Sequence, residues 1–216
     1  MEGEVDMEIR KQSIEEFVKE LSSRAPVPGG GGASALAGAL GNSLGQMVAN
    51  LTIGKKRYAQ VEEEVLNLLS RMEEIQERFL RLADEDAKVF ALLAASYSLP
   101  SGTEEEKAYK AQVMEVNLLA ASKVPMEMMK EALHMLDMLE FLGEQGSRLA
   151  VSDVGVGVQF IRTALSGAVM NVYINTKSMS DRETAEALNR QADEMLEEGL
   201  KKADIIYEMV RKGLRG

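Results

Sequence analysis

One stretch of this chain, residues 61 to 93, carries a long apolar seam with a single acidic interruption. Steps of three and four residues define ten positions, nine of them apolar: Val61, Val65, Leu68, Met72, Ile75, Phe79, Leu82, Asp86, Val89 and Leu93. This spacing keeps all ten on one face of a helix, so the pattern predicts a bundle with Asp86 on a packing surface. A buried carboxylate must be paired, hydrogen-bonded or neutral. Asp86 therefore marks either a polar site between helices or an ion pair that sets their register.

The composition agrees with an all-helical fold and excludes several classes of function. The 216 residues include 14 Met but no Trp, and only 5% are aromatic, which favours adaptable methionine packing between helices over a β-sandwich. A formal charge of −10 argues against nucleic acid as a partner. With no Cys and one His, neither a disulfide nor a thiolate or imidazole metal site is expected.

Helical periodicity runs through almost the whole sequence and predicts six helices. Their expected spans are about 7–22, 33–53, 58–98, 103–142, 152–175 and 181–212. Thr103 and Glu106 form a capping box that begins the fourth helix, and Pro125 is expected to bend or interrupt it. The glycines 29–32 are assigned to a loop, because glycine is unfavourable inside a helix. Without a repeat or a domain-scale linker, we expect a single domain over 1–216, an all-α, up-and-down bundle of long helices.

The long third helix also bears on oligomeric state and location. A helix of about 60 Å exceeds the thickness of a compact domain of this size, so its ends need cover from another chain. We therefore expect a homodimer. The segment 33–53 lacks charge but contains several polar residues, so it is expected to be a buried helix rather than a membrane span. The first 20 residues lack the apolar run of a signal peptide, so we expect a cytoplasmic protein with no membrane partner.

Two short motifs have compositions suited to binding a negatively charged ligand. Gly29, Gly30 and Gly31 precede a helix, where free amides and the helix dipole favour anions; the alternative is a plain tight connection. The cluster at 55–58, Lys-Lys-Arg-Tyr, concentrates donors in an otherwise acidic protein. It predicts a docking point for a polyanionic small molecule, and the alternative is compensation of the helix dipole by cations.

Further acids and amides complete the set of candidates for chemistry. Asp84 lies two residues from Asp86, on a different helix face, and is expected to be solvated. Asp153 stands at the predicted start of the fifth helix, where it is either a cap or, given its small and apolar neighbours, a proton-transfer group. Asn171 and Asn175 lie one turn apart on that helix and could present amides to one ligand.

Taken together, these motifs resemble the cyclodeaminase/cyclohydrolase family. The resemblance begins with Pro-Val-Pro-Gly-Gly-Gly at 26–31, continues through the small-residue stretch at 33–41, and includes 47–58, which ends in Gly-Lys-Lys-Arg-Tyr. Asp-Glu-Asp-Ala-Lys-Val-Phe at 84–90 and Val-Ser-Asp-Val-Gly at 151–155 look like later blocks of the same family, in the same order. The family contains the cyclodeaminase part of formiminotransferase-cyclodeaminases and stand-alone methenyltetrahydrofolate cyclohydrolases, and it is all-helical and dimeric.

The resemblance implies one-carbon folate chemistry without metal or redox cofactor, the only small molecule being the tetrahydrofolate substrate itself. A cyclodeaminase converts 5-formiminotetrahydrofolate to 5,10-methenyltetrahydrofolate and ammonia; a cyclohydrolase interconverts 5,10-methenyltetrahydrofolate and 10-formyltetrahydrofolate. Both need proton transfer, and Asp86 and Asp153 are the expected acid and base, in either order. Lys55 and Lys56 would meet the glutamate tail, including a polyglutamylated one. The expected substrate-binding residues are Gly29, Gly30, Gly31, Ser34, Asn50, Lys55, Lys56, Tyr58, Asn171 and Asn175.

Cyclodeaminase is the function favoured here, with cyclohydrolase as its alternative. The absence of an attached formiminotransferase domain weakens the deaminase interpretation. A different class of function, a helical interaction protein or a folate-binding protein without activity, is also open. In that case Asp86 only sets the register of the helices, and the glycine loop, the basic cluster and Asp153 are unrelated features.

Overall fold

The computed structural model describes residues 8–216, which form α-helices and short 3-10 segments and contain no strand. The α-helices are α1 (Ile14–Leu21), α2 (Gly30–Asn50), α3 (Glu62–Tyr97), α4 (Glu104–Gln145), α5 (Val151–Thr176) and α6 (Arg182–Arg215). The 3-10 segments are Ile9–Lys11, Lys56–Tyr58 and Arg148–Ala150. Consecutive helices from α2 to α6 pack against one another, and α2 also packs closely on α5. The predicted all-helical bundle is confirmed for these residues.

The apolar seam of α3 faces the interior, as predicted. Met72, Phe79 and Leu82 are fully buried. The other seam residues are buried or half-buried, and none of the ten is exposed. Since one face of a 36-residue helix is covered along its length, α3 fixes the long axis of the bundle and places Asp86 near one end of it.

Helix α2 lies at the centre because its small residues let two other helices come close. A methyl group added at Gly38 would overlap the Phe79 ring of α3. One added at Gly41 would lie 2.8 Å from Ile161 of α5. Close approach of this kind depends on glycine at the contact. Helices α2 and α5 are therefore in intimate contact, and they run antiparallel, since the start of α2 meets the end of α5.

The first predicted helix and the predicted interruption at Pro125 differ from the structure. The first predicted helix is a 3-10 segment followed by α1, which begins at a Ser13–Glu16 capping box; its predicted first residue, Met7, lies outside the described residues. Helix α4 begins at the predicted Thr103–Glu106 capping box but continues unbroken through Pro125. A proline removes one helical hydrogen bond. Here most residues of α4 around Pro125 are buried, and packing against neighbouring helices holds α4 together across that gap.

The uncharged segment at 33–53 is part of α2 and of the turn after it. Its small face is covered by α3, α4 and α5. Within residues 8–216, no helix combines the length and apolar character needed to cross a membrane.

Candidate active site

A pocket of about 200 Å³ opens where the start of α2 meets the end of α5. Four helices contribute to its wall. Gly30 and Gly31 come from α2, Asp86 from α3 and Ala121 from α4, and α5 supplies a pair of asparagines. The pocket brings together the glycine motif and the acid that interrupts the α3 seam. Among residues 8–216, Asp86 is the only charged residue in its lining.

The glycines belong to the first turn of α2, and the prediction that they form a loop was wrong. Gly29 is the N-cap residue, and the first helical hydrogen bond runs from the Ala33 N–H to its carbonyl oxygen at 3.0 Å. The amides of the first turn have no partner inside the helix, so three glycine N–H groups point away from its start. A methyl group at Gly31 would overlap the Asp86 carboxylate. Glycine at this position leaves the space that the carboxylate occupies at the helix start.

The environment of Asp86 suits a group that gains and loses a proton. Burial raises the pKa of its carboxyl to about 6, and a hydrogen bond from the Gly32 N–H opposes part of that rise. No ion pair to Asp86 forms within residues 8–216. The interpretation of Asp86 as half of an ion pair therefore has no support in the described part of the chain. A pKa of this size leaves both protonation states populated near neutral pH.

Asp84 is buried, contrary to the predicted solvated position. Its side chain accepts from the Arg10 backbone N–H at 3.3 Å and pairs with Arg10 Nε at 3.2 Å. Ile9, the neighbour of Arg10, is buried and lies near the start of α2 at Gly32. The Asp84–Arg10 pair thus holds the N-terminal 3-10 segment against α3, next to the helix end that contacts Asp86. The partner is 74 residues away in sequence, so local pattern could not reveal it.

Three more of the predicted binding residues lie in or under the pocket. Asn171 and Asn175 line it from the last turns of α5. Ser34 is buried beneath it, where its hydroxyl donates to the Gly30 carbonyl oxygen at 2.7 Å and where a side chain at Gly167 would overlap it. Ser34 therefore contacts the helix start rather than the open pocket.

The basic cluster lies at the opposite end of the α2/α5 pair. Lys55 Nζ is 3.5 Å from Ser147 Oγ, and the Tyr58 hydroxyl accepts from the Arg148 N–H at 3.0 Å. This hydrogen bond lowers the pKa of the Tyr58 phenol. Lys56 is exposed. This end forms a cationic surface around the start of α5, not a continuation of the Asp86 pocket.

Asp153 and Asn50 also lie at that second end of the α2/α5 pair. The structure therefore does not bring Asp86 and Asp153 together within one chain. Asp153 lies in the first turn of α5, which has Ala150 rather than Ser152 or Asp153 as its N-cap. Eighteen residues separate Asp153 from Asn171, about 27 Å along the helix. Asn50 is exposed at the end of α2, where its amide donates to the Gln46 carbonyl oxygen at 3.0 Å.

Sequence reasoning assigned no role to several residues that line the pocket. Phe90 lies one helical turn beyond Asp86 and keeps 41% of its surface exposed, so the spacing of four was a usable signal. Ala121 enters from α4 and Ile174 from α5. Pro26 and Val27 precede the glycines. Nothing in their local sequence marks these four as pocket residues.

Comparisons with known proteins show which family this chain resembles. Residues 13–194 match the family model described as formiminotransferase-cyclodeaminase. A methenyltetrahydrofolate cyclohydrolase of Methylorubrum extorquens is 36% identical over 200 residues, covering 93% of this chain and 96% of that protein. The formimidoyltransferase-cyclodeaminase of Gallus gallus is 26% identical, and the match covers 97% of this chain but 39% of that longer protein.

A solved structure gives the same result at the level of the fold. The formiminotetrahydrofolate cyclodeaminase of Thermotoga maritima superposes with a TM-score of 0.80 at 30% sequence identity, and the match covers 97% of this chain and 98% of that one. The family indicated by the sequence motifs is thereby confirmed. This chain belongs to the formiminotransferase-cyclodeaminase family, which unites cyclodeaminases and cyclohydrolases of folate one-carbon metabolism.

Proposed function

We propose that this protein is a formiminotetrahydrofolate cyclodeaminase in which Asp86 transfers the proton. The observation that carries the proposal is the desolvated Asp86 carboxyl, which accepts from the Gly32 N–H at the start of α2 in a pocket where the described residues contribute no other charge. The likeness to the cyclodeaminase structure along nearly the full length of both chains supports it. Neither a cofactor nor a metal is required, and the proposed domain is the whole chain.

The chemistry needs one group that can both give and accept a proton. In 5-formiminotetrahydrofolate, attack of N10 on the formimino carbon bound to N5 forms a tetrahedral carbon that still carries the former imino nitrogen. To leave as ammonia, the neutral imino nitrogen must gain two protons. One is the proton that N10 loses, and the other comes from the solvent, so the product is the 5,10-methenyltetrahydrofolate cation. A carboxyl whose pKa is near 6 serves both transfers, because neither protonation state is rare at neutral pH.

Methenyltetrahydrofolate cyclohydrolase is the second candidate, favoured by the stand-alone relative that is 36% identical over almost its whole length. In this reaction water adds to the methenyl carbon and loses a proton to a base. The resulting tetrahedral carbon then breaks its bond to N5, which takes up a proton, while the hydroxyl group loses its proton to form the carbonyl of 10-formyltetrahydrofolate. The same carboxyl can act first as base and then as acid. One pocket therefore suits either reaction.

The active form in this proposal is a homodimer built on the outer face of the α2/α5 pair. On that face α2 exposes Leu40, Met47 and Leu51, and α5 exposes Val156, Met170 and Ile174. The helical phases of the two rows place them on the same side of the pair. No charged residue occurs between Arg24 and Lys55, so the α2 part of this face is uncharged. An apolar face of this kind is typical of a self-complementary contact.

A two-fold axis in the plane of contact and perpendicular to these helices would complete the site. Because a two-fold rotation about an axis perpendicular to the helices reverses their direction, such an axis exchanges the two ends of the pair. The Lys55 end of one copy would then lie beside the Asp86 pocket of the other. Asp153 could meet Asp86 across the interface, and Lys55, Lys56 and Tyr58 would be placed to meet a folate glutamate tail.

Assays on two substrates decide between the candidates. Purified protein is mixed with 5-formiminotetrahydrofolate or with 5,10-methenyltetrahydrofolate, and the methenyl absorbance is followed against buffer alone. The substrate with the larger kcat/KM identifies the reaction. If neither is converted but tetrahydrofolate raises the melting temperature, the protein binds folate without acting on it; a ligand at 100 times its Kd adds about 2.7 kcal/mol of stability. No conversion and no shift would mean that the proposal is wrong.

A further inference from the structure

The two pocket asparagines have their amide groups oriented by backbone carbonyls. Asn171 Nδ2 donates to the Gly167 carbonyl oxygen at 2.9 Å, one turn earlier on α5. Asn175 Nδ2 donates to the Ala121 carbonyl oxygen of α4 at 3.0 Å. A backbone carbonyl can only accept, so a side-chain nitrogen must face each one. The hydrogen-bond network therefore assigns the oxygen and nitrogen positions of both amides.

This orientation leaves both side-chain oxygens available to a ligand. A planar amide that directs its nitrogen at a carbonyl directs its oxygen elsewhere. No hydrogen bond to either Oδ1 is formed within residues 8–216. In the same part of the chain, the one buried side-chain atom without a partner is Gln12 Oε1. The two asparagine oxygens thus have no hydrogen-bond partner among the described residues, and they are not fully buried. Both residues line the pocket.

We propose that Asn171 and Asn175 are hydrogen-bond acceptors that hold N–H or O–H groups of the ligand beside Asp86. The inference rests on the proposed function and adds which side of the site donates hydrogen bonds and which side accepts them. The start of α2 supplies N–H donors from Gly30 and Gly31 on one side. The end of α5 supplies two oxygen acceptors on the other. A ligand that fits must carry donors on the side that faces α5.

A folate substrate offers such donors in two places. One is the N–H edge of the pterin ring, which takes no part in the reaction. The other is the small reacting group, which is the departing amine in a deaminase or the attacking water in a cyclohydrolase. The shared chemistry is a hydrogen-bond donor. The two sources differ in the stage at which the contact matters, because ring contacts affect binding whereas contacts to the reacting group affect turnover.

A matched pair of substitutions at Asn171 tests the proposal. Threonine and valine have nearly the same shape and the same χ1 restriction, and they differ by one oxygen. In Asn171→Thr the hydroxyl can donate to the Gly167 carbonyl oxygen, as Thr163 does to that of Gln159 at 2.9 Å on the same helix, and its oxygen still accepts. Asn171→Val removes the acceptor altogether. The measurements are the Kd of tetrahydrofolate by calorimetry and the kcat on the preferred substrate.

We expect both variants to be weaker than the parent protein, and Asn171→Val to lose about tenfold more than Asn171→Thr, which is the size of one net hydrogen bond. A loss in Kd assigns the donor to the ring, and a loss in kcat at unchanged Kd assigns it to the reacting group. Equal losses in both variants would mean that the amide nitrogen matters, and no loss in either would mean that Asn171 holds nothing. Both results overturn the proposal. A parent protein that neither binds nor converts folate would instead overturn the proposed function, and this inference with it.

Discussion

The two ends of the α2/α5 helix pair show how the same scaffold can produce opposite chemical environments. At one end four helices converge, and Asp86 is withdrawn from water into a pocket where residues 8–216 place no other charge. At the other end Lys55, Lys56 and Arg57 gather on the surface beside the start of α5, and Lys56 and Arg57 are exposed. The first end shifts the pKa of a carboxyl by desolvation. The basic cluster at the second end attracts negative charge.

The difference arises from packing and not from the helices themselves. Glycines at the start of α2 let a carboxylate reach the helix end, and the α3/α4 hairpin covers it. At the far end, α2 gives way to a turn and the 3-10 segment Lys56–Tyr58, which leaves side chains in solvent. Solvent-exposed charges interact weakly, whereas a desolvated carboxyl changes its pKa. Catalysis is therefore expected to be sensitive at the Asp86 end and tolerant at the Lys55 end.

The largest expected effect is from Asp86→Asn. Asparagine is nearly isosteric and still hydrogen-bonds, but it cannot exchange a proton at neutral pH. We expect turnover to fall by about 10²-fold or more while tetrahydrofolate binding persists. The check is to measure turnover by enzyme assay and tetrahydrofolate binding by calorimetry on one preparation. Asp84→Asn is the control for the loss of a nearby buried carboxylate. Full activity of the Asp86→Asn protein would mean that Asp86 does not transfer the proton, and that the Asp86 end is not more important for catalysis than the Lys55 end.

Asp153→Asn asks whether the two ends work together across a dimer. If Asp153 acts at the Asp86 pocket of a partner subunit, the variant should lose activity by more than about tenfold. Mixing it with Asp86→Asn and allowing subunits to exchange should then restore about a quarter of parental activity, since half the dimers are mixed and each has one intact site. Inactive mixtures of two inactive variants would mean that each site takes both acids from one chain, which would contradict a shared site between subunits. A fully active Asp153→Asn protein would show that Asp153 has no catalytic role.

Gly31→Ala tests the close approach of Asp86 to the helix start. The added methyl group would overlap the carboxylate, so Asp86 must move and turnover should fall about tenfold or more. Gly29→Ala is the matched control, because a methyl group there meets nothing within 4 Å and the backbone has a negative φ. Side-by-side kcat values for the two variants give the answer, and equal values would mean that the carboxylate is free to relocate.

The raised pKa of Asp86 makes a prediction about stability with a definite sign. Its folded pKa of about 6 exceeds the ordinary value of 3.8, so between these pH values the folded state binds more protons than the unfolded state. Stability from this group is complete below pH ~4 and is lost as the pH rises through ~6. Asp86→Asn should therefore raise the free energy of unfolding by about 3 kcal/mol at pH 7 and leave it almost unchanged at pH 4. Urea melts at both pH values measure this, and destabilisation at pH 7 would instead point to a cationic partner for Asp86.

The smallest effect is expected from Lys55→Ala and Lys56→Ala. An exposed ion pair contributes about 0 to 1 kcal/mol and is screened by salt. We expect KM to rise less than about fivefold, more for polyglutamylated than for monoglutamylated folate, and the difference to shrink at high salt. Steady-state kinetics on both forms of the substrate are sufficient. Equal changes for the two forms would assign these lysines a structural role at the end of α2.

Most of the fold and one residue of the site could be predicted from periodicity and capping. The α3 seam, the Thr103–Glu106 capping box and the Asp181 N-cap of α6 all appear where the pattern placed them. These signals are local, since a helix relates residues three and four apart. Asp86 could be singled out for the same reason, because an acid on an apolar seam contradicts its surroundings.

Tertiary packing alone decided which groups meet. It buried Asp84 against Arg10, brought Asn171 and Asn175 to Asp86, and left Asp153 at the other end of the same helix. It also made the first turn of α2 from glycines that local propensity assigns to a loop. Helix propensities differ by about 1 kcal/mol or less between ordinary residues and glycine. Burial against neighbouring helices exceeds that difference and sets the desolvation that shifts the pKa of Asp86, and neither can be read from residues near each other in the chain.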